Sequence, residues 1–218
     1  MTRPVPVVIL GAAGDARVVA ETVRACEAHG QPVTLGGYLD DGLVGQQVDG
    51  SPVLGGLRDW VRLDPETRFV LALHKVRQMH RRQALVESLA IPMERWTVIA
   101  HPTAVIARNA RIGAGAFLAA HVVVQPSATI GHCATIRAGA NIGHDAACGD
   151  FSYVGPNATL CGKAVLGKGA HLGPNSVIVD GMVVEEFSVI GAGSVATKRV
   201  PSFEVHFGVP AKKVLDIK

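Results

Sequence analysis

From Ile106 the chain repeats every six residues. The positions are Ile106, Ile112, Leu118, Val124, Ile130, Ile136, Ile142, Cys148, Val154, Leu160, Leu166, Leu172, Ile178, Val184 and Ile190, fifteen in unbroken register and fourteen of them aliphatic. Four residues after each stands Ala or Ser, except at Val122 and Met182. Gly directly follows the aliphatic residue at 113, 131, 143, 149, 155, 167, 173 and 191. A helix repeats at about 3.6 residues and a strand at 2, so neither makes a period of six. A β-solenoid with three flat faces does. Each hexapeptide supplies one short strand and one corner, and three of them close a coil of eighteen. The aliphatic residue points into the prism and the small residue is expected at the tight corner. Backbone hydrogen bonds then run between coils stacked about 4.8 Å apart. The spacing predicts five unbroken coils over 106–195, with Ala100–Val105, "AHPTAV", adding part of another.

The composition agrees. Gly is frequent at 25 residues, aromatic residues make up 5% and charged residues 18%, unlike either a disordered chain or an ordinary helical globule. The net charge of +3 is small and scattered, which argues against nucleic acid as a partner. No signal peptide and no apolar run long enough for a bilayer is read, so a cytoplasmic protein without membrane association is expected. Cys26, Cys133, Cys148 and Cys161 lack CxxC spacing and paired His ligands. They read as free thiols serving as small apolar residues, with no metal site.

The first hundred residues read differently. "VPVVIL", 5–10, leads into "GAAGDA", Gly11–Ala16, and then a helix from about Arg17 to His29. A strand, a glycine-containing turn and a helix open a nucleotide-binding α/β unit, where backbone N–H groups and the helix N-terminus face a phosphate. The same glycines also suit a tight connection. A second strand, about Thr34–Leu39, ends in "YLDD". Asp40 and Asp41 then stand at the edge where open parallel sheets bind ligands. They can accept hydrogen bonds from a ribose or a base, or simply end a solvated turn. Residues 68–74 read as a third strand and 75–90 as a helix. Its basic group, Lys75, Arg77, His80, Arg81 and Arg82, either helps hold a diphosphate or forms a solvated face.

One titratable pair interrupts the repeat: His144 and Asp145 in "NIGHDAACG". The period puts His144 on a corner, with Pro126 and Gly162 eighteen residues away on the coils to either side. A glycine there leaves room beside the ring and a bare N–H nearby. His titrates near neutral pH, as a general base should, and Asp145 can orient it. His132 occupies the same hexapeptide position two corners earlier, so a solvated surface histidine is the competing reading.

Taken together, the "GAAGDA" unit, "YLDD", the hexapeptide coil with "GHD" and the C-terminal "FGVPAKKV" resemble a family over essentially the whole chain. It is the nucleotide-sugar acetyltransferase family of the left-handed β-helix (hexapeptide-repeat) superfamily. Its members include sialic acid O-acetyltransferases, UDP-4-amino-sugar N-acetyltransferases and GDP-perosamine N-acetyltransferase. The resemblance implies a truncated Rossmann-like α/β domain at 1–97, a left-handed parallel β-helix at 98–200, and a tail at 201–218 that helps bind acetyl-CoA. It implies His144 as general base, Asp145 as its acidic neighbour, and a Gly162 N–H at the thioester oxygen. Gly11, Ala13, Gly14, Asp15, Asp40 and Asp41 would hold the nucleotide-linked amino sugar. Acetyl-CoA would lie along the coil between two subunits of a homotrimer, near Tyr153, Gly162, Gly191 and Ala192, with its adenosine end at Gly208, Val209, Pro210 and Lys212. The implied setting is surface-polysaccharide (O-antigen) sugar biosynthesis.

Two departures stand out. Many members carry "GGHG" or "GGHA" where this chain has Ala13, Gly14, Asp15 and Ala16. Several carry a second histidine nine residues after the first, where this chain has Tyr153. A phenol is a poor base at neutral pH, so the base role falls on His144 alone. An amine needs less help than a hydroxyl, which favours N-transfer to a 4-amino sugar, with GDP-perosamine the first expectation. O-acetylation of a sialic acid or related sugar, and a non-catalytic assembly or regulatory subunit, are the alternatives.

Overall fold

The structure is a computed structural model describing residues 3–218. The N-terminal unit runs β1 (Val5–Leu10), α1 (Ala16–Ala28), β2 (Val33–Leu39), β3 (Gln47–Val48), β4 (Ser51–Gly55), a 3-10 turn at Leu57–Arg62, β5 (Arg68–Leu71) and α2 (Met79–Ser88). The sheet order is β3-β4-β2-β1-β5. β4, β2, β1 and β5 run parallel, and only β3 is antiparallel, on the β4 edge. β1 is a continuous apolar run whose last four residues are buried, as a strand covered on both faces must be. α1 buries Ala16, Val19, Ala20, Val23 and Cys26, a stripe at helical spacing. That stripe packs in one apolar cluster with β1 and with Phe117 and Ala119 of the coil. The helix is therefore the filling between sheet and prism.

The second unit is the left-handed β-helix. Two-residue strands recur every six residues from Ile99–Ala100 to Val195–Ala196. They form three parallel faces. Face 1 includes Val123–Val124, Asn141–Ile142 and Thr159–Leu160; face 2 includes Thr129–Ile130, Ala147–Cys148 and Val165–Leu166; face 3 includes Thr135–Ile136, Tyr153–Val154 and His171–Leu172. Register is eighteen residues throughout: Asn141 pairs Thr159 and Tyr153 pairs His171. The aliphatic positions stack inside the prism, with Ile136, Ile142, Leu160, Leu166 and Leu172 fully buried. Face 3 is extended by Glu204–Phe207, which turns back antiparallel into Lys212–Asp216.

The small residue is not at the corner. The corner belongs to the residue before it, which takes left-handed φ: 62° at Ser127, 58° at Asp145, 55° at Asn157, 54° at Asn175, and Gly at 139, 169, 181 and 193. Asn, Asp and Gly tolerate that region, which explains their places. The Ala or Ser that follows points inward, where two walls converge and a small side chain fits best; Ala128, Ala134, Ala158 and Ala164 are fully buried, and Val122 and Met182 are the larger exceptions in the same core.

Three of the corners after face 2 carry Cys133, Phe151 and Phe187 in place of Asn, Asp or Gly, all at positive φ. A bulky side chain is strained there. Docking compensates: Cys133, Phe151 and Phe187 pack with Met79, Val86, Leu89 and Trp96 of the N-terminal unit. The helix expected over 75–90 covers only Met79–Ser88. Arg77, at φ 62°, turns the chain first, so Lys75 and Arg77 precede the helix and do not lie on it. The third strand likewise ends at Leu71, leaving Ala72–His74 as a loop. Cys26, Cys133 and Cys148 are buried free thiols, and Cys161 is half-buried and free.

Candidate active site

Two places carry chemistry. The first is the corner between faces 1 and 2. His144 and Asp145 have side chains 55% and 50% exposed, and His144 Nδ1 lies 2.9 Å from Asp145 Oδ2. A carboxylate only accepts, so Nδ1 carries the proton and Nε2 presents a lone pair. The backbone sets this up. Asp145 occupies the left-handed corner and its N–H donates to Pro126 O at 3.1 Å. The His144 N–H donates to Gln125 Oε1 at 3.2 Å, and Gln125 in turn donates to Asn141 Oδ1 at 3.3 Å. Nε2 leans over Gly162 on the next coil, where an added Cβ would meet it at 2.5 Å. Only glycine leaves the ring that position. The Gly162 N–H has no acceptor among the described residues.

His132, at the same hexapeptide position two corners earlier, has different surroundings. Its Nδ1 lies 2.6 Å from Ala114 O, and its ring meets Trp96 and Phe151 edge-on at 5.3 and 5.4 Å. It is packing beneath the docked domain.

The second place is a cleft of about 590 Å³ between the carboxyl ends of β1, β2 and β5 and face 3 of the coil. Gly11, Ala13, Gly14, Asp15 and Asp40 line it from one side, Tyr153, His171 and Pro174 from the other, and His74 and Arg82 close its end. Gly11 needs its bareness twice: φ is 100°, and a Cβ would strike Leu73 at 2.8 Å. The N–H groups of Ala13, Gly14 and Asp15 have no protein acceptor among the described residues, at the N-terminus of α1, an anion-binding arrangement. Asp40 ties the turn down. Its Oδ2 accepts from Ala12 N–H and its Oδ1 from Gly42 N–H, both at 2.9 Å. Asp41 is outside the cleft. Its Oδ1 accepts from Leu57 N–H at 2.7 Å and so caps the 3-10 turn. Of the basic group, Arg82 alone lines this cleft; Lys75, Arg77 and Arg81 line a separate hollow of about 430 Å³ against Leu215–Lys218.

Asp15 does not cap α1 with its side chain. It forms an ion pair with Arg137, reaching across from face 3. Beside that pair, three rings stack: His74 on Tyr153 at 4.0 Å, and Tyr153 on His171 at 4.7 Å and 6°. Sequence reasoning missed His74, His171 and Arg137. The arithmetic that placed Gly162 beside His144 also places His171 beside Tyr153, so that partner was findable; His74, from the other domain, was not. The residues expected around acetyl-CoA fall in separate places. Tyr153 is in the cleft and Gly162 at the His144 corner. Gly191 and Ala192 lie at the far end of the coil, where the Phe207 ring covers Gly191. The Gly208–Lys212 loop is fastened there, Gly208 N–H donating to Ser194 Oγ at 2.9 Å and Ala211 N–H to Val195 O at 2.8 Å.

Among the described residues no three His, Cys, Asp or Glu side chains are grouped to hold a metal ion, and no helix is long and apolar enough to cross a membrane. No protein-family model matches the chain, and no curated protein matches it. Solved structures do. Perosamine N-acetyltransferase from Caulobacter crescentus, as a histidine-to-asparagine variant in complex with CoA and GDP-perosamine, is 29% identical with a TM-score of 0.85, covering 97% of each chain. The acetyltransferase domain of PglB from Neisseria gonorrhoeae FA1090, in complex with acetyl coenzyme A, is 27% identical with a TM-score of 0.84, covering 97% of this chain and 100% of that one. WeeI from Acinetobacter baumannii AYE, at 21% identity and a TM-score of 0.75 over 95% of this chain and 99% of that one, shares the fold. These bear out the resemblance to hexapeptide-repeat nucleotide-sugar acetyltransferases read from the sequence.

Proposed function

We propose that this chain transfers an acetyl group from acetyl-CoA to the 4-amino group of a nucleotide-linked amino sugar, with GDP-perosamine the first candidate. The observation that carries the reading is the exposed His144–Asp145 pair, its Nε2 set free over Gly162. The neutral amine attacks the thioester carbonyl carbon. His144 Nε2 takes the proton that the amine loses, the oxyanion meets the Gly162 N–H, and the C–S bond breaks to release coenzyme A. Positioning and the fixed donor supply most of the rate, and the base contributes roughly 10²- to 10⁴-fold. The cleft supports a sugar-nucleotide acceptor, with free N–H groups at a helix N-terminus for the diphosphate. The structures of perosamine N-acetyltransferase with CoA and GDP-perosamine, and of the PglB domain with acetyl coenzyme A, support both substrates.

The topology also supports a homotrimer. The cleft opens on face 3, and His144 stands on the opposite vertex, between faces 1 and 2. An acceptor in a chain's own cleft is on the wrong side of the prism for its own histidine. A second copy must bring its vertex to the first copy's cleft, and coenzyme A would run along that seam. Both flanking faces are uncharged over much of their length, with Val123 exposed on face 1 and Val165 half-exposed on face 2.

The test is thiol release from acetyl-CoA with a panel of GDP-, UDP- and CMP-linked 4-amino sugars, alongside CMP-sialic acid as the hydroxyl acceptor. Turnover of a 4-amino sugar nucleotide is expected. Turnover of the sialic acid derivative alone would replace N- with O-transfer, and no turnover of any acceptor would end the enzymatic reading.

A further inference from the structure

His74 and His171 come from different domains yet touch: His171 Nδ1 lies 3.2 Å from His74 Nε2. Their rings are nearly parallel, 23° apart at 5.1 Å, and both line the cleft. Tyr153 lies flat against each of them, so the two imidazoles are held in one orientation. His171 is buried and sits in register one coil beyond Tyr153. The charges around the pair are Arg82 and Arg137 on one hand and Asp15 on the other, and Asp15 is already engaged by Arg137.

Burial pushes both rings toward the neutral form, to about 4 for His74, with Arg82 and Arg137 adding to the effect. Two neutral imidazoles carry one N–H each. Their mutual contact uses one proton and one lone pair. Of the two remaining nitrogens, His171 Nε2 and His74 Nδ1, one therefore donates and the other accepts, whichever tautomers are present. If both rings change tautomer together, the two roles exchange and the sum of one donor and one acceptor is kept.

We infer that His74 and His171 form a positioning subsite for the hexose of the acceptor, a donor–acceptor pair matched to neighbouring sugar hydroxyls. This rests on the nucleotide-sugar reading above. The shared chemistry, a pair of hydroxyls, also occurs on the ribose of the nucleotide. The pair is assigned to the hexose because His171 belongs to the wall across from the Gly11–Asp15 turn, away from Asp40. Tyr153 is the flat floor on which both imidazoles, supplied from other positions, lie side by side.

The experiment measures Kd by calorimetry, and KM and kcat by thiol release, for wild type, His171→Phe, His74→Phe and His171→Gln. Ligands are GDP-perosamine or a UDP-linked 4-amino sugar, whichever the wild type acetylates, the matching nucleoside diphosphate alone, and acetyl-CoA. Phe keeps a flat ring in the stack and removes both nitrogens; using both domains guards against one variant failing to fold. The expected result is a rise of about tenfold in Kd and KM for the sugar nucleotide with either Phe variant. Affinity for the nucleoside diphosphate and KM for acetyl-CoA should stay within about twofold, and His171→Gln, which has one donor and one acceptor, should recover part of the loss. An equal loss for the nucleoside diphosphate would overturn the inference in favour of the ribose. Unchanged sugar-nucleotide binding in both Phe variants would overturn it outright while leaving the acetyltransferase reading intact. A wild type that acetylates none of the sugars overturns that reading, and this one with it.

Discussion

His144 is held by its backbone N–H, its Nδ1 and the bareness of Gly162, but it buries little, so its role separates cleanly from stability. His144→Ala should change unfolding free energy by no more than about 0.5 kcal/mol, as at other surface sites. Its kcat should fall by about 10² or more. Retention of a tenth of wild-type kcat would show that the proton leaves by another route. Gly162→Ala tests the same geometry from the other side. Gly162 is not at positive φ, so the new methyl costs no backbone strain, but it claims the space of Nε2. The ring must swing out, and kcat should drop at least tenfold with the melting temperature nearly unchanged. The two neighbouring aspartates should also part company. Asp40→Ala loosens the turn that lines the cleft and should raise KM for the sugar nucleotide and not for acetyl-CoA. Asp41→Ala removes a cap at Leu57 and should cost about 1 kcal/mol, the usual worth of such a cap, in a denaturant titration.

At the scale of elements, the stack of His74, Tyr153 and His171 ties the loop after β5 to face 3, and its protonation belongs to folding. Burial is the main cause lowering both histidines, to about 4 and about 3, with Arg82 and Arg137 adding at His74, the His74 ring adding at His171, and Asp15 opposing. An unfolded histidine titrates at about 6.5. Above that value both states are neutral and nothing is at stake. As pH falls from 6.5 toward 4 the unfolded chain binds protons that the folded chain refuses, so stability is lost across this window. The loss by pH 5 should be on the order of 3–4 kcal/mol for the pair, about half from each ring, read from urea midpoints at pH 7 and pH 5. The double variant His74→Phe with His171→Phe should flatten that dependence; a slope equal to wild type would mean the rings titrate freely in the folded state.

At the scale of the whole molecule, the cleft and His144 stand on opposite sides of one prism, so the proposed reaction requires two copies of the chain. Two inactive variants should therefore repair each other. Mixed trimers of His144→Ala with a cleft-blocked chain, such as one carrying Gly11→Trp, place an intact vertex against an intact cleft at some seams. Activity should return on co-refolding and be absent from either variant alone. No recovery, with light scattering confirming mixed trimers, would mean that each chain completes its own site.

The coil was legible in the sequence because its period of six has one physical solution, aliphatic residues stacked inside three flat walls; which residue turns the corner was not, since the Ala or Ser expected there points inward and the residue before it makes the turn. The same arithmetic placed Gly162 beside His144, since contacts along a solenoid repeat at a fixed separation. It also held, unread, the contact of His171 with Tyr153. Phe151 and Phe187 at strained corners were a signal that something docks there, but the sequence did not name the partner. What only the tertiary structure decided lies between the two units. Arg137 reaching Asp15 and His74 completing the ring stack both depend on how the α/β unit sits on face 3. That arrangement is set by the burial of α1 and Trp96 against the prism and of its Phe151 and Phe187 under the α/β unit. No local pattern encodes it, because these residues are far apart in sequence and meet only when both surfaces already exist.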